Sequence, residues 1–293
     1  MSATVIEIPE PANTAVEPHL IIRPPRGWSA LNLIDLWQFR DLMFELAGRD
    51  VKLRYKQTIL GPIWIVLQPL LGAGAFSFVF GKVANLQNAE IPNYFLFSYA
   101  GLLGWNLFST TLTKTSGCLV GNSHLISKIF FPRLVLPLSV IPSVLLDFFV
   151  SLGVMIVLLL VTRTPVTIQL IWLPVWTIIL LLLSMGVGLC TAALAVSYRD
   201  VQMLLPVLTQ ILQLACPVVY ALSRVPARFL RWYMLNPLVG VISAFRWSIL
   251  PGYGACKPPG IGSVLYALAA GIVVFVLGAY SFKRMERKFA DVI

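Results

Sequence analysis

Long stretches free of charge alternate along this chain with short clusters of cations. The junction is sharpest in "RDVKLRYKQTILGPIWIVLQPLL", residues 49–71, where four cations in eight residues precede fifteen uncharged residues. Apolar stretches fall at roughly 58–81, 94–117, 134–161, 168–197, 201–222 and 262–282. Each is near or above the ~20 residues a helix needs to cross a bilayer. The period-two alternation of barrel strands does not occur. The pattern predicts an all-α polytopic membrane protein with six transmembrane helices.

Residues 29–48 have a different period. Leu33, Leu36, Trp37, Met43, Phe44 and Ala47 share one helical face, and Gln38, Asp41 and Glu45 the other, with Arg40 and Leu42 out of place. This predicts an amphipathic helix lying in the membrane interface; a helix docked in the cytosol is the alternative. Residues 1–28 are rich in proline, acidic at first and then basic at Arg23 and Arg26. They read as an extended cytoplasmic arm with no cleavable signal pattern. The expected organisation is an arm (1–28), an interface helix with its basic segment (29–56), and a six-helix transmembrane domain (57–293).

The segment 223–261 is too apolar to float and too short to span twice. Its centre, "FLRWYMLNPLVGVISAFRWSIL", reads as two short helices broken at Asn236-Pro237. A re-entrant pair fits, because non-spanning backbone is tolerated where protein or a water-filled cavity surrounds it. An amphipathic pair on the outer leaflet is the alternative.

Composition agrees with this picture. The chain has 293 residues, 58% hydrophobic and 12% charged, against roughly 25% charged in a soluble domain. The net charge of +10 would suggest nucleic acid in a soluble protein, but these cations cluster beside apolar runs and point to membrane orientation. With the six spans drawn, 15 of the 22 lysines and arginines fall on the side of the termini and 7 on the other. The positive-inside rule then puts both termini in the cytoplasm. Five of the seven outer cations lie in 223–261.

Helical stripes supply candidate chemistry. Gln57, Trp64, Gln68, Ala75 and Phe78 line up on the first span, and Tyr94, Ser98, Gly101, Trp105 and Phe108 on the second. Gln202, Pro206, Thr209, Gln213, Cys216 and Tyr220 line up on the fifth. Polar side chains facing lipid are costly, so these stripes face protein or water. They read either as helix packing or as a conduit lined by amides, hydroxyls and aromatic faces, a lining suited to a sugar polymer. Asp147, the only acid deep within a span, is expected to face the bundle interior with Ser143 or Ser151 on its face, or a cation of the re-entrant segment, as partner.

Several chemistries are not encoded. His19 and His124 lack a metal partner at ligand spacing. The four cysteines are scattered and read as small hydrophobes. There is no nucleophile elbow, and Gly81-Lys82 lacks the spacing of a phosphate-binding loop. A membrane protein with a candidate path and no ATPase motif draws its energy from a partner.

Four stretches, taken together, resemble one family: Arg49–Leu71 quoted above, "LISKIFFPRLVLPLS" (Leu125–Ser139), "SYRDVQMLLPVLTQILQLACPVVY" (Ser197–Tyr220) and "LNPLVGVISAFRWSIL" (Leu235–Leu250). They occur in the order found in the permease subunits of ABC exporters for polysaccharide, O-antigen or teichoic acid (ABC-2 type permeases). The resemblance implies a homodimer of six-helix permeases with two copies of a separate ATPase subunit. The cargo it implies is a glycan on a polyprenyl pyrophosphate lipid, moved across a bacterial plasma (inner) membrane to its outer face. The chain itself would hold no cofactor, ATP and magnesium belonging to the ATPase. No nucleic-acid role is implied.

The resemblance also assigns residues. The coupling loop, 118–133, would dock on the ATPase through Asn122, His124, Leu125, Lys128, Phe130, Phe131, Pro132 and Arg133, with Arg199 as a second contact. The external gate would be 223–261, with Arg231, Asn236, Pro237, Arg246 and Trp247. The glycan channel would take Trp64, Gln68, Tyr94, Trp105, Gln202, Thr209, Gln213 and Tyr220. Arg49, Lys52, Arg54 and Lys56 stand at the entrance, where they suit a lipid pyrophosphate and equally suit positive-inside anchoring. An integral-membrane enzyme acting on lipid-linked glycans is the alternative from another class, disfavoured by the poverty of acids and histidines. A small-molecule ABC exporter is the third reading.

Overall fold

The computed structural model describes residues 37–56, 61, 63–126, 128 and 131–292, without the side chains of Arg54, Tyr55 and 287–292. The arm 1–28, the start of the 29–48 helix, Gln57, Phe130 and the Arg54 side chain lie outside the described residues.

The described residues are helical apart from their connections. In chain order the helices are α1 (Arg40–Tyr55), α2 (Ile63–Phe76, continuing in π-helical geometry over Ser77–Val83), α3 (Tyr94–Gly121), the short α4 (Ser123–Ile126), α5 (Val135–Val161), α6 (Leu173–Ser197, preceded by a 3-10 turn, Ile168–Trp172), α7 (Asp200–Ala215), α8 (Ala227–Tyr233), α9 (Pro237–Ile249) and α10 (Ile261–Val292).

Among the described residues, four helical segments are long and apolar enough to cross a membrane: Ile63–Val83, Val135–Val161, Ile168–Ser197 and Ile261–Glu286. Six were expected; the other two candidates, α3 and α7, do not meet this measure of length and apolarity, for two physical reasons. Helix α3 has the length, 28 residues, but carries serine, threonine and glycine through its middle. It does so because it stands at the centre of the bundle, packed by α2, α5, α6 and α9. A helix enclosed by protein over most of its surface is not selected for lipid. Helix α7 has only 16 residues, about 24 Å of helix against a hydrocarbon core of roughly 30 Å. Its expected extension to residue 222 is stopped by Pro217, which holds Cys216 extended (φ −109°, ψ 152°).

Close approach of small residues sets the helix packing. A Cβ on Gly278 of α10 would lie 2.0 Å from the carbonyl oxygen of Gly186 on α6. A Cβ on Gly188, also on α6, would lie 2.8 Å from Thr115 of α3. Backbones brought this near gain van der Waals contact, the main attraction between helices in a bilayer.

Helix α1 runs straight through the basic segment, so the expected interface helix and the cation cluster are one element. The face against the bundle is Phe39, Leu42, Met43 and Leu46, with Ala47 also buried. This inward face shares Met43 and Ala47 with the expected apolar face. Leu42 turns inward, and Trp37 and Phe44 are exposed. The face packs on α5.

The break at Asn236-Pro237 is as the sequence suggests. Asn236 caps α9 by accepting from the Leu238 amide at 3.1 Å, and Pro237 occupies the first helical turn. The two short helices differ in surroundings. Helix α9 is buried among α3, α6 and α10. In α8 none of the residues is buried, and Phe229, Leu230 and Trp232 stand in the open.

Candidate functional site

An open polar groove of about 520 Å³ lies between α3 and α7. Helix α3 lines it with Trp105, Ser109, Thr110, Thr113 and Lys114, and α7 with Pro206, Thr209, Gln210 and Gln213. The lining is hydroxyls, amides, one indole and one cation. Such a surface exchanges hydrogen bonds with hydroxyl-bearing solutes without fixing them by charge pairs; the Trp105 indole, 3% exposed, offers little ring face.

Local structure sets this lining. Pro206 cannot donate to the turn before it, and the Thr209 hydroxyl donates to the Pro206 carbonyl at 2.8 Å. On the outer side of α7, Met203, Leu204, Val207, Leu208, Ile211 and Leu214 are exposed, so the helix presents its polar stripe to the groove and its apolar stripe away. Lys114 closes one end. Its ammonium donates to Asp50 of α1 at 3.1 Å and to Ser143 of α5 at 3.1 Å, tying three helices at the groove's mouth. Ser143 in turn donates to the Val140 carbonyl at 3.0 Å. On the same helix the Ser151 carbonyl accepts from Tyr99 at 3.0 Å.

At the other end α7 breaks, and Arg246 of α9 holds the break. Its guanidinium is 3% exposed and donates to the carbonyls of Pro217 at 2.7 Å and Val218 at 2.5 Å. It lies 3.8 Å from the centroid of the Phe97 ring, a cation–π contact in a desolvated setting. Tyr94 donates to the neighbouring Val219 carbonyl at 2.5 Å. The Tyr220 hydroxyl donates to the Leu214 carbonyl at 3.0 Å and shares a 2.6 Å hydrogen bond with that of Tyr233. Carbonyls freed where a helix ends are thereby satisfied.

Of the eight channel candidates, the groove brings together Trp105, Thr209 and Gln213. Trp64, Gln68 and Gln202 are exposed elsewhere, on α2 and at the start of α7. Tyr94 is buried with its hydroxyl in the helix break, and Tyr220 belongs to the same cluster. The α3 stripe of Tyr94, Ser98, Gly101, Trp105 and Phe108 is fully buried, a packing face touched by the groove only at Trp105. Ser109, Thr110, Thr113 and Lys114 were missed. Their signal was Trp105, Ser109 and Thr113 at successive spacings of four.

At the opposite end of the bundle, Arg49 of α1 donates to the side-chain oxygen of Asn122, joining an entrance candidate to a coupling candidate. Lys52 and Lys56 are exposed on α1. In the turn after α3, His124 and Lys128 are exposed and Leu125 and Pro132 half-buried. Phe131 is buried in the chain's own core, so its ring is not displayed at the surface. Arg133 donates to the Glu286 carbonyl of α10 at 2.7 Å. Arg199 is exposed just before α7. Of the gate candidates, Arg231 is exposed, Asn236, Pro237 and Trp247 are half-buried, and Arg246 is buried.

Fold and groove define a multi-pass helical membrane protein with a polar groove along the flank of its central helix. The chain belongs to the ABC-2 type transporter family, whose model matches residues 42–250. It is 30% identical over 254 residues to the O-antigen export system permease protein RfbA of Klebsiella pneumoniae, covering 86% of this chain and 95% of that one. To the protein of the same name from Myxococcus xanthus it is 32% identical over 262 residues, 88% and 98% of the two chains. It is also similar to the polysialic acid transport protein KpsM of Escherichia coli, 26% identical over 211 residues, 70% of this chain and 80% of that one.

Proposed function

We propose that this chain is the transmembrane permease subunit of an ATP-driven ABC exporter that moves lipid-linked polysaccharide from the cytoplasmic to the outer face of a bacterial inner membrane. The observation that carries this reading is the groove of Trp105, Ser109, Thr113, Thr209 and Gln213. It offers a hydroxyl-and-amide lining in a chain whose relatives are named for O-antigen export and polysialic acid transport.

The finer assignments are part of the same proposal. Helices α3 and α7 count as spans, giving six. Two copies of the chain pair their exposed α2 and α7 faces and bind two ATPase subunits, which hold ATP and magnesium. Residues 118–133 and Arg199 take up the motion of the ATPase. Arg49, Lys52, Arg54 and Lys56 receive the lipid pyrophosphate at the cytoplasmic edge, where both termini lie. Residues 223–261 close the outer end, with Arg246 holding the α7 break shut.

The test is depletion of the protein followed by fractionation of lipid-linked glycan into inner and surface pools. Accumulation inside of polymer of normal length, with a fall at the surface, is the expected result. An inner pool that is short, unmodified or absent would mean that the protein makes or alters the glycan. Unchanged pools would mean that the cargo is a different, smaller amphiphile.

A further inference from the structure

The face of the bundle away from the termini breaks the charge rule. Lys82, Arg163, Arg224, Arg228, Arg231 and Lys257 are all exposed there, and Glu90 is the acid among them. The loops that carry these residues converge. The Ser223 hydroxyl donates to the Glu90 carboxylate at 3.4 Å, and the Ala255 amide donates to the Glu90 carbonyl at 3.3 Å. Loops on the translocated side of a membrane are ordinarily poor in lysine and arginine. This excess needs a partner.

The excess concentrates around α8. Arg224 leads into it, and Arg228 and Arg231 project from it. Between them stand bulky apolar residues in the open: Phe229 at 51% exposure, Trp232 at 76% and Leu235 at 59%. The Arg228 guanidinium lies 4.5 Å from the Phe229 ring centroid. The segment is anchored at one end, where Tyr266 of α10 donates to the Leu235 carbonyl. Water solvates three arginines well but not Trp232, Phe229 and Leu235 together. A bilayer surface solvates both, with aromatic rings at headgroup level and guanidinium groups on phosphate.

We propose that residues 224–235 form a docking surface for anionic phospholipid headgroups of the leaflet opposite the termini. The phosphates pair with Arg224, Arg228 and Arg231, and the rings of Phe229 and Trp232 enter the boundary with the acyl chains. Each arginine near an anionic surface adds attraction of its own. A second copy of the same segment is disfavoured as occupant, because it would set arginines against arginines. The surface is a foothold for the outer end of the protein and does not depend on which cargo moves.

The experiment places the full-length protein in nanodiscs of phosphatidylcholine, with or without phosphatidylglycerol, and follows amide hydrogen exchange of residues 224–236. Phosphatidylglycerol is expected to slow exchange in this segment at least about tenfold, and high salt to weaken the effect. The triple variant Arg224→Gln, Arg228→Gln, Arg231→Gln is expected to abolish the lipid dependence while α9 exchanges as before, which separates lost docking from misfolding. Equal exchange in the two lipids would overturn the proposal. So would protection that appears only on adding purified polysaccharide, or only when two copies associate in the neutral lipid.

Discussion

Gly101 of α3 stands against the guanidinium of Arg246 on α9, so near that a Cβ there would lie 2.2 Å from Nη2 and 2.1 Å from the Val218 carbonyl oxygen. The absence of a side chain at residue 101 is what lets the arginine reach the helix break. Gly101→Ala is therefore expected to displace the guanidinium or the backbone it holds, at a cost of about 1–3 kcal/mol. Arg246→Lys keeps the charge and loses the planar guanidinium, whose Nη2 donates to the Pro217 and Val218 carbonyls while Nη1 reaches that of Tyr220 at 3.4 Å. Thermal unfolding of the purified protein should show both variants below the parent.

Much of the fold was legible because bilayer thickness writes itself into sequence as runs of apolar residues. Helix α5 begins within a residue of the expected 134–161, and Asn236-Pro237 marks the start of α9. The rest was less legible for separate reasons: Pro217 cuts α7 short, and α3 is polar in its middle because other helices pack around it. A window of residues reports apolar length and cannot tell lipid from protein as the neighbour. Which side of α1 packs on α5 was not legible either, because Trp37 and Leu42 are both apolar and only the position of α5 decides which turns inward. In the groove, Thr209 and Gln213 were readable from the amphipathic period of α7. Ser109, Thr110, Thr113 and Lys114 were obscured by the longer stripe beside them, which turns out to be packing.

The ion pair between Lys114 and Asp50 is partly exposed, at 21% and 51% of the two side chains, so its worth to stability is under about 1 kcal/mol. Its position at the groove's mouth gives it a larger effect on transport than on folding. Asp50→Asn and Lys114→Gln should each leave the melting temperature within a few degrees of the parent and lower surface glycan several-fold. The charge-swapped pair Asp50→Lys with Lys114→Asp should recover part of the loss. Surface glycan relative to protein in the membrane is the measurement.

The groove makes a sharper demand on residues that do no packing. Thr113 is exposed and Gln213 half-buried, so Thr113→Val and Gln213→Leu are expected to change stability by no more than about 0.5 kcal/mol. Both remove hydrogen-bonding capacity from the proposed path. Export measured in cells should fall for each and fall further for the pair. Unchanged export in the pair would place the path elsewhere.

The crossing of α6 and α10 depends on backbone contact between Gly186 and Gly278, where a Cβ at the first would lie 2.6 Å from the Phe275 amide nitrogen. Gly278→Ala has no flexible neighbour to yield, so the helices must part. The expected loss is again about 1–3 kcal/mol, read as a lower unfolding temperature. Gly117→Ala is the control: its Cβ would meet nothing within 4 Å, and alanine favours the helix by about 1 kcal/mol over glycine.

Cys256 reports on the turn that follows α9. Burial pushes its thiol from 9.0 up to about 11, with Arg246 pulling the other way. The folded protein thus keeps the proton where the unfolded chain has begun to lose it. The contribution to stability is fully present below pH 9 and declines as pH rises from about 9 to about 11. In a variant with Cys118, Cys190 and Cys216 replaced by alanine, Cys256 is expected to react with maleimide far more slowly at pH 8 than a free cysteine does. The rate should rise toward pH 11, since the thiolate is the reactive form. Rapid labelling at pH 8 that appears only while the ATPase turns over would show that this turn opens during transport.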